Sequence, residues 1–239
     1  MQAIQIIVKG NWGHFKRPET NNNPLTHDFI TKTALIGMIG AVLGYEREEM
    51  KSLFPQLSDD LLYGVELLQP VKKISWGFTS RTAFKPWESG TPKYFEFLKN
   101  PSFKILIALK EDNKSAAIFT QFMNAIKQEE AFFTPVLGWH NCPADLSWNS
   151  EGSVQYFQEK GKKIEMKCFV SNQHAIKMEG TEIFRLGFEN IPTYQNNDFW
   201  NLPERYEKVI YPDAGNAIKV EGAFYQYSQN NEKETWWLI

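Results

Sequence analysis

The sequence predicts an α+β fold, and three observations carry the prediction. Short β-branched apolar runs occur at "AIQIIV" (3–8) and "SFKILIAL" (102–109). Two segments, 31–44 and 114–130, have helical length and apolar spacing. From about Asp145 helical periodicity is absent and short extended runs take over.

Taken in order, residues Ala3 to Val8 read as a first strand. "KGNWGHFKRPETNNNPLTHD" follows as a loop, by its Gly, Pro and three consecutive Asn. "TKTALIGMIGAVLG" (31–44) is the first helix, with Gly44 as its C-cap. A polar stretch around Glu46 to Pro55 precedes "LLYGVELLQPVKKISWGF", which is extended from about Tyr63. "SFKILIAL" is the third strand. In "KSAAIFTQFMNAIKQEE" the apolar Ile118, Phe119, Phe122, Met123 and Ile126 recur at helical spacing, with Asn113 or Ser115 as the cap. "FFTPVLGWH" then offers a fourth strand. The order β, α, β, β, α, β is that of a ferredoxin-like or RRM-like split βαβ unit, in which two helices cover one face of an antiparallel sheet. The other face is left for a partner or a second domain. "SVQYF", "KIEMKCFV", "TEIFRLGFENI", "AIKVEGAFYQYS" and "TWWLI" make a smaller β-rich part. The division is residues 1–142 and 143–239.

Composition narrows the function. A chain of 239 residues with 42% hydrophobic side chains buries a substantial core. Its longest apolar run, Ala34 to Tyr45, is well short of the roughly 20 residues of a membrane helix. "MQAIQIIVKG" lacks the features of a signal peptide, and only Cys142 and Cys168 are present, which fits two half-buried thiols in the cytoplasm. A net charge of −2 excludes nucleic-acid binding by bulk charge, so any such binding uses local patches. No cofactor motif is present, and the spacing of Cys142, Cys168, His140 and His174 matches no zinc pattern.

The first helix poses the sharpest question, because an interior Gly costs about 1 kcal/mol against Ala. On a helical wheel Ala34, Gly37, Gly40, Ala41 and Gly44 share one arc, opposite the bulky side chains. Two readings stand: close packing against a neighbouring element, or an RNA backbone crossing near Thr31, Lys32 and Thr33 at the free N–H groups of the helix start. Between Val71 and Tyr94, Lys72, Lys73, Arg81 and Lys85 alternate with Trp76, Phe84 and Trp87, cations for phosphates and rings for splayed bases. Lys9, His14, Lys16 and Arg17 form a second basic cluster after the first strand. Lys160, Lys162, Lys163 and Lys167 read as a solvated hairpin.

"WGHFKRPETNNNPLT", "TKTALIGMIGAVLG", "TPKYFEFLKNPSFKILIAL" and "TPVLGWHNCPADL", in this order over residues 1 to 146, resemble the CRISPR-associated Cascade subunit of family five, a RAMP-type protein, in its type I-B form. The resemblance implies a subunit that holds the 5′ handle of the crRNA and extends a thumb hairpin, about residues 71–100, onto the neighbouring backbone subunit. It also implies contact with the large subunit that reads the PAM, which brings target DNA near the PAM within reach, and no metal or small cofactor. Some relatives are metal-independent endoribonucleases, associated with a tyrosine after the first helix and a later Lys-His pair. Tyr45 stands where that tyrosine would, and a nuclease reading would use Tyr45 and His14, but no Lys-His pair exists here. The expectation is a non-catalytic, cytoplasmic RNA-binding subunit. The alternatives are the endoribonuclease and a purely structural interaction subunit.

Overall fold

A computed structural model of the chain describes residues 1–81, 87, 89–177, 185–198, 202–230 and 232–239. The first half runs β1 (Gln2–Lys9), β2 (Trp12–Gly13), α1 (Lys32–Leu43), α2 (Arg47–Asp60), β3 (Leu61–Leu67), β4 (Lys73–Ser80), β5 (Thr91–Lys99), β6 (Ser102–Leu109) and α3 (Ala116–Lys127). The second half runs β7 (Asp145–Met166), β8 (Val170–Ser171), β9 (Ala175–Ile176), β10 (Leu186–Tyr194), β11 (Arg205–Pro212), β12 (Ile218–Gln229) and β13 (Glu232–Trp236). None of the described helices is long and apolar enough to cross a membrane.

The main sheet has the order β13-β12-β7-β1-β6-β3, with β9 added on β12. Its pairings β1·β6, β1·β7 and β3·β6 are all antiparallel. Alternation along β1 and β6 sends side chains to two separate cores. Ile4, Ile6, Val8, Ile105 and Ile107 pack against α1, α2 and α3, while Ala3, Leu106 and Ala108 pack on the opposite face against Val154, Ile164, Phe224 and Trp236. The face opposite the helices is thus covered by the chain's own second half. The backbone of Ile239 exchanges both hydrogen bonds with Tyr63 of β3, so the residues after β13 reach the far edge and the sheet curls around the second core.

Three expectations are corrected. The stretch from Glu46 is a helix, α2, opened by a capping box in which Glu46 and Glu49 each bond the other's backbone N–H. Glu in place of Ser or Thr at the cap and Pro55 inside the helix hide it from a motif reading. "FFTPVLGWH" is not a strand: only Val136 makes a bridge, to Pro143, and Gly138 turns the chain at φ +84°. The fourth strand is β7, which pairs with β1 in its first part and with β12 further along, so one sheet holds strands from both sides of residue 142. Ser115 takes the N-cap position of α3, but its hydroxyl donates to Asp60 Oδ2 (2.6 Å) instead of capping.

Helix α1 covers the expected stretch, but the Thr31 hydroxyl, read as an RNA contact, serves as its N-cap. Thr31 Oγ1 accepts the N–H of Ala34 at 3.2 Å, and Gly44 closes the helix in the left-handed region at φ +78°. Its small-residue face is used in two ways. A Cβ on Gly40 would lie 2.5 Å from Met50 Sδ of α2 and one on Gly44 would lie 2.6 Å from the Phe132 ring, whereas Gly37 is exposed with nothing within 4 Å.

Candidate nucleic-acid interface

The loop between β2 and α1 is held by a charge network rather than left to solvent. Glu189 of β10, whose side chain is fully buried, accepts from Arg17 Nη2 (2.5 Å), the Asp28 backbone N–H (3.0 Å) and His27 Nδ1 (2.8 Å). Lys73 of β4 reaches Asp28 Oδ1 (2.5 Å), Glu96 Oε2 (3.3 Å) and the Thr26 carbonyl (2.9 Å). Burial opposes ionisation of Asp28, but hydrogen bonds from Lys73 and Tyr211 hold its carboxyl below the usual range. The loop is thereby fastened to the β4–β5 hairpin on one side and to β10 on the other.

Beside it lies an open cleft of about 310 Å³, lined by His14, Lys16, Thr31, Thr33, Phe54 and Gln195 among others. The first turn of α1 carries no acidic residue; the Lys32 N–H turns inward to the buried Tyr63 hydroxyl, and the Thr33 N–H has no partner within the helix. With the Thr33 hydroxyl and the exposed Lys16 ammonium, this end of the cleft suits an anion. His14 Nδ1 donates to the Glu96 carbonyl at 2.7 Å, which leaves Nε2 as the acceptor nitrogen of the neutral ring. Burial lowers its pKa below the ordinary 6.5, so it contributes hydrogen bonding rather than charge at pH 7. Gly138 crosses so close behind His14 that a Cβ there would overlap the His14 carbonyl oxygen.

The hairpin base supplies flat surfaces. Trp139 stacks on Phe95 (centroids 5.3 Å, 7° between planes) and on Phe97 (5.3 Å, 30°), and meets Phe78 edge-on at 5.7 Å. Trp12 and Trp76 approach to 4.4 Å. Trp76 and Phe78 remain 40% and 37% exposed and Trp87 is 78% exposed, so rings that hold the hairpin to the body also face outward.

The residues singled out from the sequence divide accordingly. His14, Lys16, Thr31 and Thr33 come together at the cleft, and Gly37 lies one turn along α1 from Thr33. Lys9, Lys72 and Arg81 are exposed, at the end of β1 and at the two ends of β4. The charges of Arg17 and Lys73 are committed to the internal network. Lys32 is 4% exposed, and burial first, then the nearby Lys110 and Arg205, lower its pKa to about 7. It is a core residue rather than a surface cation. Phe84 and Lys85 lie outside the described residues. Tyr45 follows the C-cap of α1, about 18 Å from the cleft by the length of a 12-residue helix. Cys142 and Cys168 are buried, which pushes their thiols up to about 11 and about 12. Sequence reading missed Trp139, Phe54 and Gln195. Phe54 belongs to α2, whose sequence is polar, and Trp139 and Gln195 carry no local signal.

The family model described as CRISPR-associated protein (Cas_Cas5) matches residues 4–206. No curated protein matches the chain. A crystal structure of a CRISPR protein from Archaeoglobus fulgidus shares the fold, with 12% identity over 99% of each chain and a TM-score of 0.56. So does a chain of a CRISPR RNA-guided surveillance complex, with 12% identity over 92% of this chain and 91% of that one, and a TM-score of 0.52. Identities this low speak for the fold alone, whereas the family match spans most of the sequence: the chain belongs to the CRISPR-associated family Cas_Cas5.

Proposed function

We propose that the chain is a non-catalytic, cytoplasmic RNA-binding subunit of a type I-B-like CRISPR surveillance complex, holding the 5′ handle of the crRNA in the cleft at the start of α1. The β4–β5 hairpin is its thumb, reaching the backbone subunit, and the large subunit is its other neighbour. We read β7-β1-β6-β3, crossed by α1 and α3, as the split βαβ arrangement of a ferredoxin-like unit. The observation that carries the reading is the convergence of Lys16, His14 and the hydroxyl and helix-start N–H of Thr33 on one open cleft, beside a hairpin with outward aromatic faces. That pairing of anion donors with stacking surfaces is what single-stranded RNA requires. The endoribonuclease alternative needs His14 and Tyr45 to act on one phosphate, and they stand at opposite ends of α1.

Incubating the purified chain with its cognate repeat RNA in EDTA tests this, with a gel shift for binding and a denaturing gel for cutting. The expected outcome is a shift that depends on the 5′ handle, with intact RNA. Lys16→Ala and Arg81→Ala should each weaken binding, and each should reduce the slope of log K against log salt by about 0.7 if it meets one phosphate. Handle affinity unchanged in both variants, or cleavage within the repeat, overturns the reading.

A further inference from the structure

The end of α1 remote from the cleft carries a second surface. After α3 the chain turns at Glu129 (φ 57°) and lays residues 132 and 133 across the end of α1, where their N–H groups donate to the carbonyls of Val42 and Ala41 at 3.0 Å each. Gly44 leaves room for the Phe132 ring. The two rings meet edge-on at 4.8 Å, and Phe132 stays 75% exposed and Phe133 38%. Large apolar rings fastened by backbone bonds and left facing outward mark a contact surface rather than unfinished core.

A groove of about 340 Å³ runs beside them, with Val42, Ile126 and Leu146 among its walls and Glu129, Glu130 and Asp145 on its rim. All three carboxylates are exposed, and none has an ion-pair partner among the described residues. No Lys or Arg lines the groove. The C-terminal ends of both α1 and α3 also point here, adding the negative ends of two helix dipoles. Glu129 and Glu130 favour a cationic segment over the phosphates of nucleic acid, and among the described residues the one cation set opposite a rim carboxylate is Lys9, across from Asp145 on β1. The field also opposes a two-fold dimer through the same patch, which would set these carboxylates against their own copies.

We propose that this surface docks a basic amphipathic segment of another protein, whose apolar side chains cover Phe132 and Phe133 while its Lys or Arg residues meet Glu129, Glu130 and Asp145. Aromatic anchors ringed by complementary charge concentrate binding energy at the centre of an interface. The proposal does not depend on the RNA reading, since it concerns the opposite end of α1.

The test is selection of phage-displayed random 16-residue peptides on the immobilised full chain, followed by affinity measurement with the synthesised winners. Enriched peptides should combine Lys or Arg with aromatic or aliphatic residues. Phe132→Ala should weaken them roughly 30-fold or more, as for an interface hot spot. The Glu129→Lys/Glu130→Lys variant should reject them and, in a fresh selection, enrich acidic peptides, a reversal that a purely structural role would not produce. Lys16→Ala should leave peptide affinity unchanged. The proposal is overturned by no enrichment above a blank support, by winners indifferent to both variants, by crosslinking of RNA to this face, or by a dimer of the chain that Phe132→Ala dissolves.

Discussion

Replacing Glu189 with Ala removes one buried carboxylate and three hydrogen bonds at once, from Arg17, His27 and the Asp28 backbone. Breaking a buried ion pair from one side costs about 3–5 kcal/mol, because the surviving partner is left without compensation. Arg17 is partly exposed, its side chain 25% accessible, and can rehydrate, which places the expected loss at the lower end, about 3 kcal/mol. For a chain of this size each kcal/mol moves Tm by about 2–4 °C, so Glu189→Ala should melt about 6–12 °C below the parent. The functional effect should exceed the loss of folded protein. The loop that Glu189 fastens carries Lys16 into the cleft, so handle binding measured well below Tm should weaken as well. Glu189→Gln, which keeps the shape but turns one acceptor into a donor facing Arg17 or His27, should fall between. Differential scanning fluorimetry alongside the gel shift reads both quantities. A Glu189→Ala variant melting within 2 °C of the parent and binding RNA normally would refute the claim that this network shapes the cleft.

Two further predictions concern α1. Gly37→Ala fills open space in a helix interior, so it should raise stability by up to about 1 kcal/mol, whereas Gly40→Ala must displace Met50 and should not. If RNA runs along this face Gly37→Ala should also lower handle affinity, and a stabilised variant with unchanged affinity would place the RNA elsewhere. For Lys32, the folded chain releases its proton near pH 7 while the unfolded chain keeps it to about 10.5, so the unfolded state holds more protons between those values and stability rises with pH across that window. Lys32→Met should therefore raise Tm at pH 7, and its advantage should shrink steadily towards pH 10. A difference independent of pH would mean that the amine is not buried as charge-averse.

The elements legible in the sequence are those whose pattern and packing agree. The pattern of β1, β6 and α3 is dictated by which side chains face a core, and α1 adds a terminal Gly. The capping box of α2 is built from Glu, and its buried face is small, with Met50 and Leu57 as the apolar anchors, so charge dominates its sequence. The strand expected at "FFTPVLGWH" has the apolar content of β structure, but Pro135 and Gly138 break it into a loop. The basic residues show the same limit at the site. Lys16 and Arg17 are neighbours in sequence, yet one faces the cleft and the other is tied to a carboxylate 172 residues away. Which cation is free depends on long-range partners that no local pattern reveals. Lys32 reads as a surface residue because a lysine at a helix start is ordinarily solvated, whereas here α1 enters beneath β10 and α2.

The hairpin that holds Trp76 and Phe78 also ends a sheet. In the order β2-β5-β4 the outer strand is β4, and among the described residues nothing pairs with its far edge. Such an edge presents alternate backbone donors and acceptors to any extended chain, and here it does so beside exposed aromatic rings. Lys72, Lys73 and Arg81 bracket the strand, but its interior from Ile74 to Ser80 carries no charge to discourage a second copy. Solubility is therefore set by company: a chain purified alone must be kept dilute, and one produced with whatever covers that edge will tolerate concentration.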